Sequence, residues 1–381
     1  MSSSACCYLD YNASTPIHPQ VFETFLKVSK DCFGNPASSH ALGQKAQAWI
    51  QKSREIIADV LECKPSEVWF TSGGTESNNW FLKMLPYPES RNHVVVSAME
   101  HKSILKTAQF LESRGQISLS VLPVNSSGQV TLEEFRRSVR SNTVLLSLML
   151  ANIETGILQP IEELNSFCKS RSILLHTDVV AAIGKIPLSF NKLGVTALSI
   201  SGHKLYAPKG VGVLVLKEGT LLDPLIHGCG QQCGYRSGTE NVAAVAALGK
   251  AFELLQKGEF HAEETHRLTQ KLQQELSTGL PFRPVFHGAG ARLPNTLSVA
   301  FPGYSGHHLL QSLSARGIYV SAGAAANTGE PSHVLKAMGI ALPLTQSTLR
   351  ISLGWGNTAN DIKFFMDTLS EILVKKEAHI A

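Results

Sequence analysis

The amino-acid sequence predicts an α/β fold in which helices cover a mostly parallel sheet, followed by a smaller α+β unit. The first observation is that strand-like apolar runs alternate with helical stretches between residues 67 and 216, as they do in parallel sheets with crossover helices. The second is that this alternation changes to another pattern after residue 255. The third is the length of 381 residues, 43% of them hydrophobic and 17% charged, because such a chain can fill one large core and a smaller one.

The elements of both units follow from hydrophobic periodicity and turn residues. Residues 8–16 are predicted to form a short strand that enters a turn, and residues 41–61 a long periodic helix. Further strands are predicted at residues 67–71, 93–98, 117–122, 144–150, 172–176, 195–200 and 211–216, with helices near residues 132–139, 161–169 and 242–255. In the smaller unit, a helix is predicted at residues 261–276 and strands at residues 295–300, 318–320 and 348–353.

Polar or ionisable residues follow five strands of the larger unit. They are Thr75, His101, Asn152, Asp178 and Lys204. Ligands of open α/β sheets bind beyond the carboxyl ends of the strands. Any one of these residues could be a helix cap or a turn residue, but the five together predict a binding site at that edge of the sheet.

Lys204 is a candidate for forming a Schiff base. It follows the apolar run of residues 195–200 and precedes a turn that contains Pro208 and Gly210. Most lysines in turns are exposed surface residues. A lysine just beyond a buried strand is desolvated, however, and desolvation favours the free amine that condenses with a carbonyl.

A glycine turn between a strand and a helix predicts a phosphate site. Residues 72–79 read SGGTESNN, so that Gly73 and Gly74 precede a helix start at Thr75. The free backbone N–H groups of such a helix start attract phosphate. The turn lacks the lysine of a Walker loop and the third glycine of the dinucleotide fingerprint.

Charge and cysteine usage narrow the class of protein. The net charge is +4, from 34 basic and 30 acidic residues spread along the chain, which predicts neither a nucleic-acid partner nor a membrane surface. The seven scattered cysteines form no disulfide framework, and Cys229 and Cys233 lack a second pair at metal spacing, so no zinc site is predicted. Without a leader or a run of about 18 apolar residues, a cytoplasmic protein is expected.

These residues suit pyridoxal phosphate as a cofactor. Its ring draws electrons only when the ring nitrogen stays protonated, and a carboxylate such as that of Asp178 favours this state. His101 can stack on the ring and move protons. Hydroxyl and backbone N–H groups near Thr75 can bind the phosphate, and Lys204 can bind the aldehyde.

Several motifs in this order resemble those of one family. They are YLDYNASTP, FGNPASS, TSGGTESNN, MEHKS, ETG, HTD, SISGHKLYAPKGVG, RSGTEN, LPNT, SAGAAA followed by EPSHVLKAMG, and LRISLG. Over nearly its full length the chain resembles the cysteine desulfurase and selenocysteine lyase family, within the class V aminotransferase group of pyridoxal phosphate enzymes. The resemblance implies the fold-type I architecture, with a large, mostly parallel seven-stranded sheet domain (residues 13–255) and a small α+β domain (residues 1–12 and 256–381).

The resemblance also implies a role for each matching residue. Lys204 would hold the cofactor and move the proton at the substrate Cα, Asp178 would pair with the pyridine nitrogen, and His101 would stack on the ring. The phosphate would be bound by Gly74, Thr75, Ser201 and His203, joined by Thr239 from the second subunit of a homodimer. Arg350, helped by Asn35, would bind the substrate carboxylate, for which a planar guanidinium is a natural bidentate partner.

The chain departs from the family pattern at three positions. In the family, a mobile loop carries the cysteine that attacks the substrate sulfur, and the matching position in this sequence is Ala326. Ile153 and Ala181 stand where an asparagine and a glutamine usually approach the phenolic oxygen of the cofactor. The resemblance places Cys229 and Cys233 near the active site of the second subunit, where either could replace the missing thiol, although free cysteines usually behave as small hydrophobic residues.

Three functions therefore stay open. The first is cleavage at Cβ of L-cysteine or a selenium or sulfur analogue, with a sulfur-acceptor protein as a possible partner. The second is another reaction on an amino acid, such as C–S lysis without a protein persulfide, decarboxylation or C–C bond formation. The third is a non-catalytic scaffold for an iron–sulfur assembly partner, which the presence of Lys204, Asp178, His101 and Arg350 disfavours.

Overall fold

The computed structural model describes residues 6–322 and 331–377. The strands are β1 (Cys7–Tyr8), β2 (Val68–Thr71), β3 (His93–Ser97), β4 (Ser118–Leu122), β5 (Thr143–Ser147), β6 (Leu174–Asp178), β7 (Ala197–Ser201), β8 (Gly212–Leu216), β9 (Val285–Phe286), β10 (Thr296–Ala300), β11 (Ile318–Tyr319), β12 (Ser321–Ala322) and β13 (Thr348–Ser352). The helices are α1 (Pro19–Asp31), α2 (Ala41–Leu61), α3 (Gly74–Met84), α4 (Lys102–Ser113), α5 (Leu132–Ser138), α6 (Ile161–Ser170), α7 (Phe190–Leu193), α8 (Val242–Gln256), α9 (Ala262–Thr278), α10 (Gly306–Ser314), α11 (His333–Ala337), α12 (Leu342–Gln346) and α13 (Ala359–Glu377).

A seven-stranded sheet forms the centre of the larger unit, in the order β2-β8-β7-β6-β5-β3-β4. The strands from β7 to β4 are parallel to their neighbours, whereas β8 is antiparallel to both of its neighbours. Every residue of β3, β5, β7 and β8 is buried, because helices cover both faces of the sheet. The predicted α/β class with a mostly parallel sheet is confirmed.

A smaller antiparallel sheet, in the order β12-β13-β10-β9, lies in the C-terminal part of the chain. It has a core of its own, built from β10 and β13 and from helices α9, α10 and α13. The predicted bounds of the two domains, 13–255 for the larger one, stay a prediction.

The N-terminal segment joins the two units at the edge where the predicted site lies. Strand β1 pairs with β11, and Asp10 forms a bridge with Ser352 of the smaller sheet. A few residues later, the backbone N–H of Thr15 donates to the carbonyl of His203 at 3.0 Å. The segment therefore runs from the smaller sheet past the carboxyl end of β7.

The structure differs from the sequence prediction in a few elements. Helix α1 was not predicted, although His18 caps its first turn and Pro19 stands at its start, where proline is favoured. The run at residues 144–150 ends as a strand at Ser147. In the described ranges, no helix combines the length and the apolar character needed to cross a membrane.

Candidate active site

A cavity of about 490 Å³ lies at the carboxyl ends of the parallel strands. It is lined by seven of the residues predicted for the site, namely Gly74, Thr75, His101, Asp178, Ser201, His203 and Lys204. Asn152 lines a neighbouring cavity of about 500 Å³. The two cavities share His101, Met149 and Ile153 as lining residues, so they adjoin one another.

Lys204 lies in a single turn of 3₁₀ helix that follows β7. Its side chain is 6% exposed, and its Nζ donates to the backbone carbonyls of Asn12 and Ala13, the latter at 2.8 Å. The pKa of Lys204 is lowered to about 7, mainly by burial and also by the positive charge of Arg350, while the carboxylates of Asp10 and Asp178 oppose the shift. A large share of the amine is therefore uncharged near neutral pH, as nucleophilic attack on an aldehyde requires.

Asp178 is the last residue of β6 and is 6% exposed. Its Oδ1 accepts a hydrogen bond from the backbone N–H of Val180 at 2.9 Å, and its Oδ2 accepts one from Asn78 Nδ2 at 2.8 Å. Both oxygens are thus held in place at the cavity wall. A carboxylate in this position can pair with the protonated nitrogen of a pyridine ring.

His101 is connected to Asp178 by a chain of hydrogen bonds. His101 caps helix α4, and its Nδ1 accepts from the backbone N–H of Ser103 at 3.1 Å. The Ser103 hydroxyl lies 2.7 Å from the same nitrogen and accepts from Asn78 Nδ2 at 2.9 Å. Because Nδ1 is an acceptor, the neutral imidazole carries its proton on Nε2. Burial lowers the pKa of His101, although Asp178 opposes this shift.

The turn before α3 lines the same cavity as Lys204. Gly73 has φ 150° and ψ 179°, a conformation open essentially to glycine alone. A Cβ on Gly74 would lie 2.7 Å from Cγ2 of Val180, so a larger residue there would require Val180, just after β6, to move. No side chain caps the start of α3, and Ser201 and His203 line the same cavity, so the free N–H groups of this helix start could bind an anion together with them.

An ion pair beside this cradle was not predicted from the sequence. Glu76 lines the cavity, and Arg236 Nε donates to its Oε1 at 2.8 Å. Burial raises the pKa of Glu76, but hydrogen bonds from Arg236 and Ser72 outweigh burial and lower it overall. Because the guanidinium neutralises this carboxylate, an anionic group can lie nearby.

Arg350 lies on β13 at the adjoining cavity and is 9% exposed. Its Nη2 donates to Asp10 Oδ1 at 2.6 Å and to Ser321 Oγ at 2.9 Å. The Ser321 hydroxyl in turn donates to the Asp10 carboxylate. The arginine predicted to bind a carboxylate therefore lies next to the cavity that contains Lys204, and Asp10 accepts a hydrogen bond from one of its nitrogens.

Two predicted residues are not brought into either cavity. Asn35 is exposed, and its Oδ1 accepts from the backbone N–H of Ala37 at 3.0 Å. Thr239 is also exposed, and its predicted role concerns a second subunit. Neither residue lines the two cavities. Both roles stay predictions, and Ala326 lies outside the described residues.

Two of the three positions that depart from the family pattern line the cavity that contains Lys204. Ile153 and Ala181 both contribute apolar surface to it. Among the described residues, no cysteine lines either cavity; Cys229 and Cys233 are exposed elsewhere. Within the same ranges, no cluster of three or more His, Cys, Asp or Glu residues is arranged to hold a metal ion.

A comparison with protein families identifies the family of the chain. The model of the family "Aminotransferase class-V" matches residues 7–365. The chain belongs to this family. The class-V assignment and the predicted resemblance to cysteine desulfurases are thereby confirmed.

Several relatives of the chain are named cysteine desulfurase. The protein named cysteine desulfurase IscS from Methanosarcina thermophila is 40% identical over 375 residues, which cover 97% of this chain and 92% of that protein. A solved structure of a NifS-like protein has a TM-score of 0.91 and 38% identity, covering 97% of this chain and all of that one. Another, described as SspA in complex with cysteine, has a TM-score of 0.80 and 35% identity, covering 91% and 98% of the two chains.

Proposed function

We propose that this chain is a pyridoxal phosphate-dependent enzyme that cleaves the bond from Cβ to sulfur, or to selenium, in L-cysteine or an analogue. The observation that carries the proposal is the arrangement of a buried lysine amine (Lys204), a buried carboxylate (Asp178) and a glycine-walled anion cradle around one cavity. The class-V relatives named cysteine desulfurase support the choice of substrate.

The residues of the cavity fit the cofactor group by group. Lys204 would bind it covalently, Asp178 would pair with its ring nitrogen, and His101 would cover its ring. The start of α3 at Gly74 and Thr75, together with Ser201 and His203, would bind the phosphate. When bound, pyridoxal phosphate draws electrons from the Cα of an attached amino acid, which makes cleavage at Cα and Cβ possible.

The chain's own groups would then bind the substrate and move its protons. The guanidinium of Arg350 would bind the substrate carboxylate with the donors that Asp10 leaves available. The Lys204 amine, with a pKa of about 7, can both accept and donate a proton near neutral pH. Its hydrogen bonds to the carbonyls of Asn12 and Ala13 would hold the amine in one position for this transfer.

The sulfur would leave to a thiol that does not belong to the cavity of the same chain. Position 326 holds alanine, and within the described part of the chain no cysteine lines either cavity. In the proposed reaction the Cβ–S bond breaks, Cβ gains a proton and is reduced, and the sulfur is oxidised as it bonds to an external thiol. L-Cysteine and R–SH thus give L-alanine and the persulfide R–S–SH, from which a second thiol releases sulfide and leaves R–S–S–R.

The same features favour a second candidate reaction. Without a thiol in the cavity, L-cysteine could instead lose its sulfur by elimination and take up water, giving pyruvate, ammonia and sulfide. Apolar side chains at Ile153 and Ala181 also leave the phenolic oxygen of the cofactor without the two amide donors usual in the family. The products alanine and pyruvate distinguish the two reactions.

We further propose that the enzyme is a homodimer and that Thr239 reaches the phosphate of the partner's site. The support is that Thr239 is exposed and lines neither cavity of its own chain. A sulfur-acceptor protein would supply the external thiol in the cell.

The test is a product analysis on the purified protein. L-Cysteine is added with and without dithiothreitol, and alanine, sulfide and pyruvate are measured in the same sample. The proposal predicts equal amounts of alanine and sulfide that depend on the dithiol, with none from Lys204→Ala. Pyruvate in place of alanine would establish elimination instead, and no product from L-cysteine or L-selenocysteine would overturn the proposed substrate class.

A further inference from the structure

Asn12 lies at a junction between the cofactor cavity and the smaller sheet. The side chain is fully buried. Its Nδ2 donates to the carbonyl of Ile153 at 3.0 Å and to Thr296 Oγ1 at 2.9 Å. Its Oδ1 accepts from Lys185 Nζ at 3.0 Å and from Asn295 Nδ2 at 3.2 Å. The amide therefore uses both of its donors and both of its acceptor positions.

A fully satisfied buried amide has one favourable orientation. Rotating or removing it would take one hydrogen bond from each of these four partners. The backbone of Asn12 is held as well, because its N–H donates to Ser352 Oγ at 2.9 Å. The position of residues 12 and 13 is thus fixed from several sides.

The amine of Lys204 rests on this segment. Its Nζ donates to the carbonyl oxygens of Asn12 and Ala13. These contacts use backbone groups, so they depend on where the segment lies. The Asn12 side chain is one of the groups that hold the segment there.

Lys185 is a second lysine amine held by Asn12. Besides Asn12 Oδ1, its Nζ donates to the carbonyl of Ala181 at 2.8 Å. Burial lowers the pKa of Lys185 well below its usual value, and Lys204 and Arg350 lower it further. Lys185 does not line the cavity that contains Lys204, so it can affect that site only indirectly, through its hydrogen bond to Asn12.

The network also fixes the backbone at both apolar positions of the cavity wall. The carbonyl of Ile153 accepts from Asn12, and the carbonyl of Ala181 accepts from Lys185. Neither side chain is polar, so the backbone supplies the only hydrogen bonds these two residues make with this network. The wall is held there by Asn12 and Lys185 together.

We propose that the Asn12 side chain is a positioning group for the Lys204 amine: by bonding to Lys185, to the Ile153 carbonyl and to Thr296, it fixes the two backbone carbonyls on which that amine rests. This inference rests on the proposed function in that it gives Lys204 its catalytic importance. The contacts themselves hold Lys204 whatever the reaction.

The pKa of the Lys204 amine depends on the position of the backbone at residues 12 and 13. Charged or titratable groups near it are Arg350, Asp10, Asp178, His101, His203 and Lys185. Asn12→Ala changes none of these groups and keeps both backbone carbonyls. If the segment moves, the amine gains access to water in the cavity, and the desolvation that lowers its pKa decreases.

The experiment measures the protonation of Lys204 in the full chain without cofactor or substrate. The protein is labelled briefly with acetic anhydride over a series of pH values, and mass spectrometry quantifies the peptides that contain Lys204 and Lys185. The wild type is expected to show a midpoint at about 7 for Lys204. Asn12→Ala is expected to raise that midpoint by about one unit or more, towards the ordinary lysine value of about 10.4.

Further variants separate positioning from a general loss of stability. Asn165→Ala removes another buried amide, whose Nδ2 donates to the carbonyl of Leu193 at 2.7 Å, at a place outside both cavities; it should leave the Lys204 midpoint unchanged. Thr296→Val, which is close to isosteric, removes one partner of Asn12 without changing a charge and should raise the midpoint. If Asn12→Ala does not fold, Thr296→Val decides the question.

An unchanged midpoint in folded Asn12→Ala, or in Thr296→Val where Asn12→Ala does not fold, would overturn the inference. A shift equal to that of Asn165→Ala would do the same. Because the labelling needs neither cofactor nor substrate, a failure of the proposed reaction would appear only in the product analysis and would leave this measurement intact.

Discussion

Arg350 Nη2 and Asp10 Oδ1 lie 2.6 Å apart, although the two residues are separated by 340 positions in the chain. The pair is largely buried, with the arginine side chain 11% exposed and the aspartate side chain 16% exposed. Ser321 contacts both partners. Since Asp10 holds only one nitrogen of the guanidinium, it orients Arg350 and leaves other donors for a substrate carboxylate.

Substitution of Arg350 tests this role in binding. Arg350→Gln is expected to lower kcat/KM for L-cysteine about 10- to 100-fold, mainly through KM, because a hydrogen bond to a charged group is worth about 1.5–3 kcal/mol. Steady-state kinetics measure the effect. Arg292→Gln, at a partly buried arginine whose Nη2 donates to the carbonyl of Gly288 at 2.6 Å, is the control and should leave KM unchanged. An equal rise in KM in both variants would contradict a role in substrate binding.

The chain of hydrogen bonds from Asp178 to His101 predicts a positioning role for Ser103. Ser103→Ala removes the hydroxyl that joins Asn78 to His101 Nδ1. We expect kcat to fall about 5-fold, since one such hydrogen bond is worth about 1 kcal/mol. The control is Thr107→Val on the same helix, which removes a hydroxyl that bonds to Asn79 at 2.9 Å. If Thr107→Val lowers kcat as much as Ser103→Ala does, the effect belongs to the helix and not to His101.

Gly74 is expected to be essential for binding the cofactor phosphate. Gly74→Ala would place a Cβ 2.7 Å from Cγ2 of Val180, which should displace the start of α3 and weaken pyridoxal phosphate binding about 10-fold or more. Fluorescence titration of the cofactor-free protein measures this affinity. Val180→Ala removes the clashing methyl group, so Gly74→Ala combined with Val180→Ala should recover most of the affinity. No recovery would mean that the new Cβ obstructs the phosphate itself.

The low pKa of Lys204 predicts how stability depends on pH in the cofactor-free protein. The folded-state pKa is about 7, whereas an unfolded lysine has a pKa of about 10.4. Between these values the unfolded chain binds more protons than the folded one, so this residue makes the free energy of unfolding rise with pH. Lys204→Met removes that contribution. Relative to wild type, the variant should lose stability progressively as the pH increases through this window, as urea unfolding can measure.

A constant difference in stability between Lys204→Met and wild type over the window would contradict the depressed pKa. Lys217→Met is a suitable control, because Lys217 directly follows β8 and its side chain is exposed. Its effect on stability should not change with pH in this range.

Much of the fold and of the site could be predicted from local sequence patterns. Apolar runs such as the one ending at Ser147 identify buried strands, and the residues that follow them, including His101 and Lys204, collect at one edge because parallel strands share a direction. The direction of β8 could not be predicted in this way, because a buried run has the same composition in a parallel and in an antiparallel strand.

The contacts that complete the site are long-range, which is why the sequence did not predict them. Asp10 lies in a motif recognised from the sequence, yet nothing local connects it with Arg350. Asn12 is in the same motif, and its partners Lys185 and Thr296 are 173 and 284 residues away. Only the folded chain brings these groups together. Asn78 and Ser103 do belong to the motifs TSGGTESNN and MEHKS, and this was the one sequence signal that pointed to them.

The most direct measurement of the central claim is the site of covalent attachment of the cofactor. The purified protein is incubated with pyridoxal phosphate, reduced with borohydride, digested and analysed by mass spectrometry. The account predicts the mass of one reduced pyridoxal phosphate on the peptide that contains Lys204, and no such mass in Lys204→Ala. Attachment at another lysine such as Lys185, or no attachment at all, would contradict it.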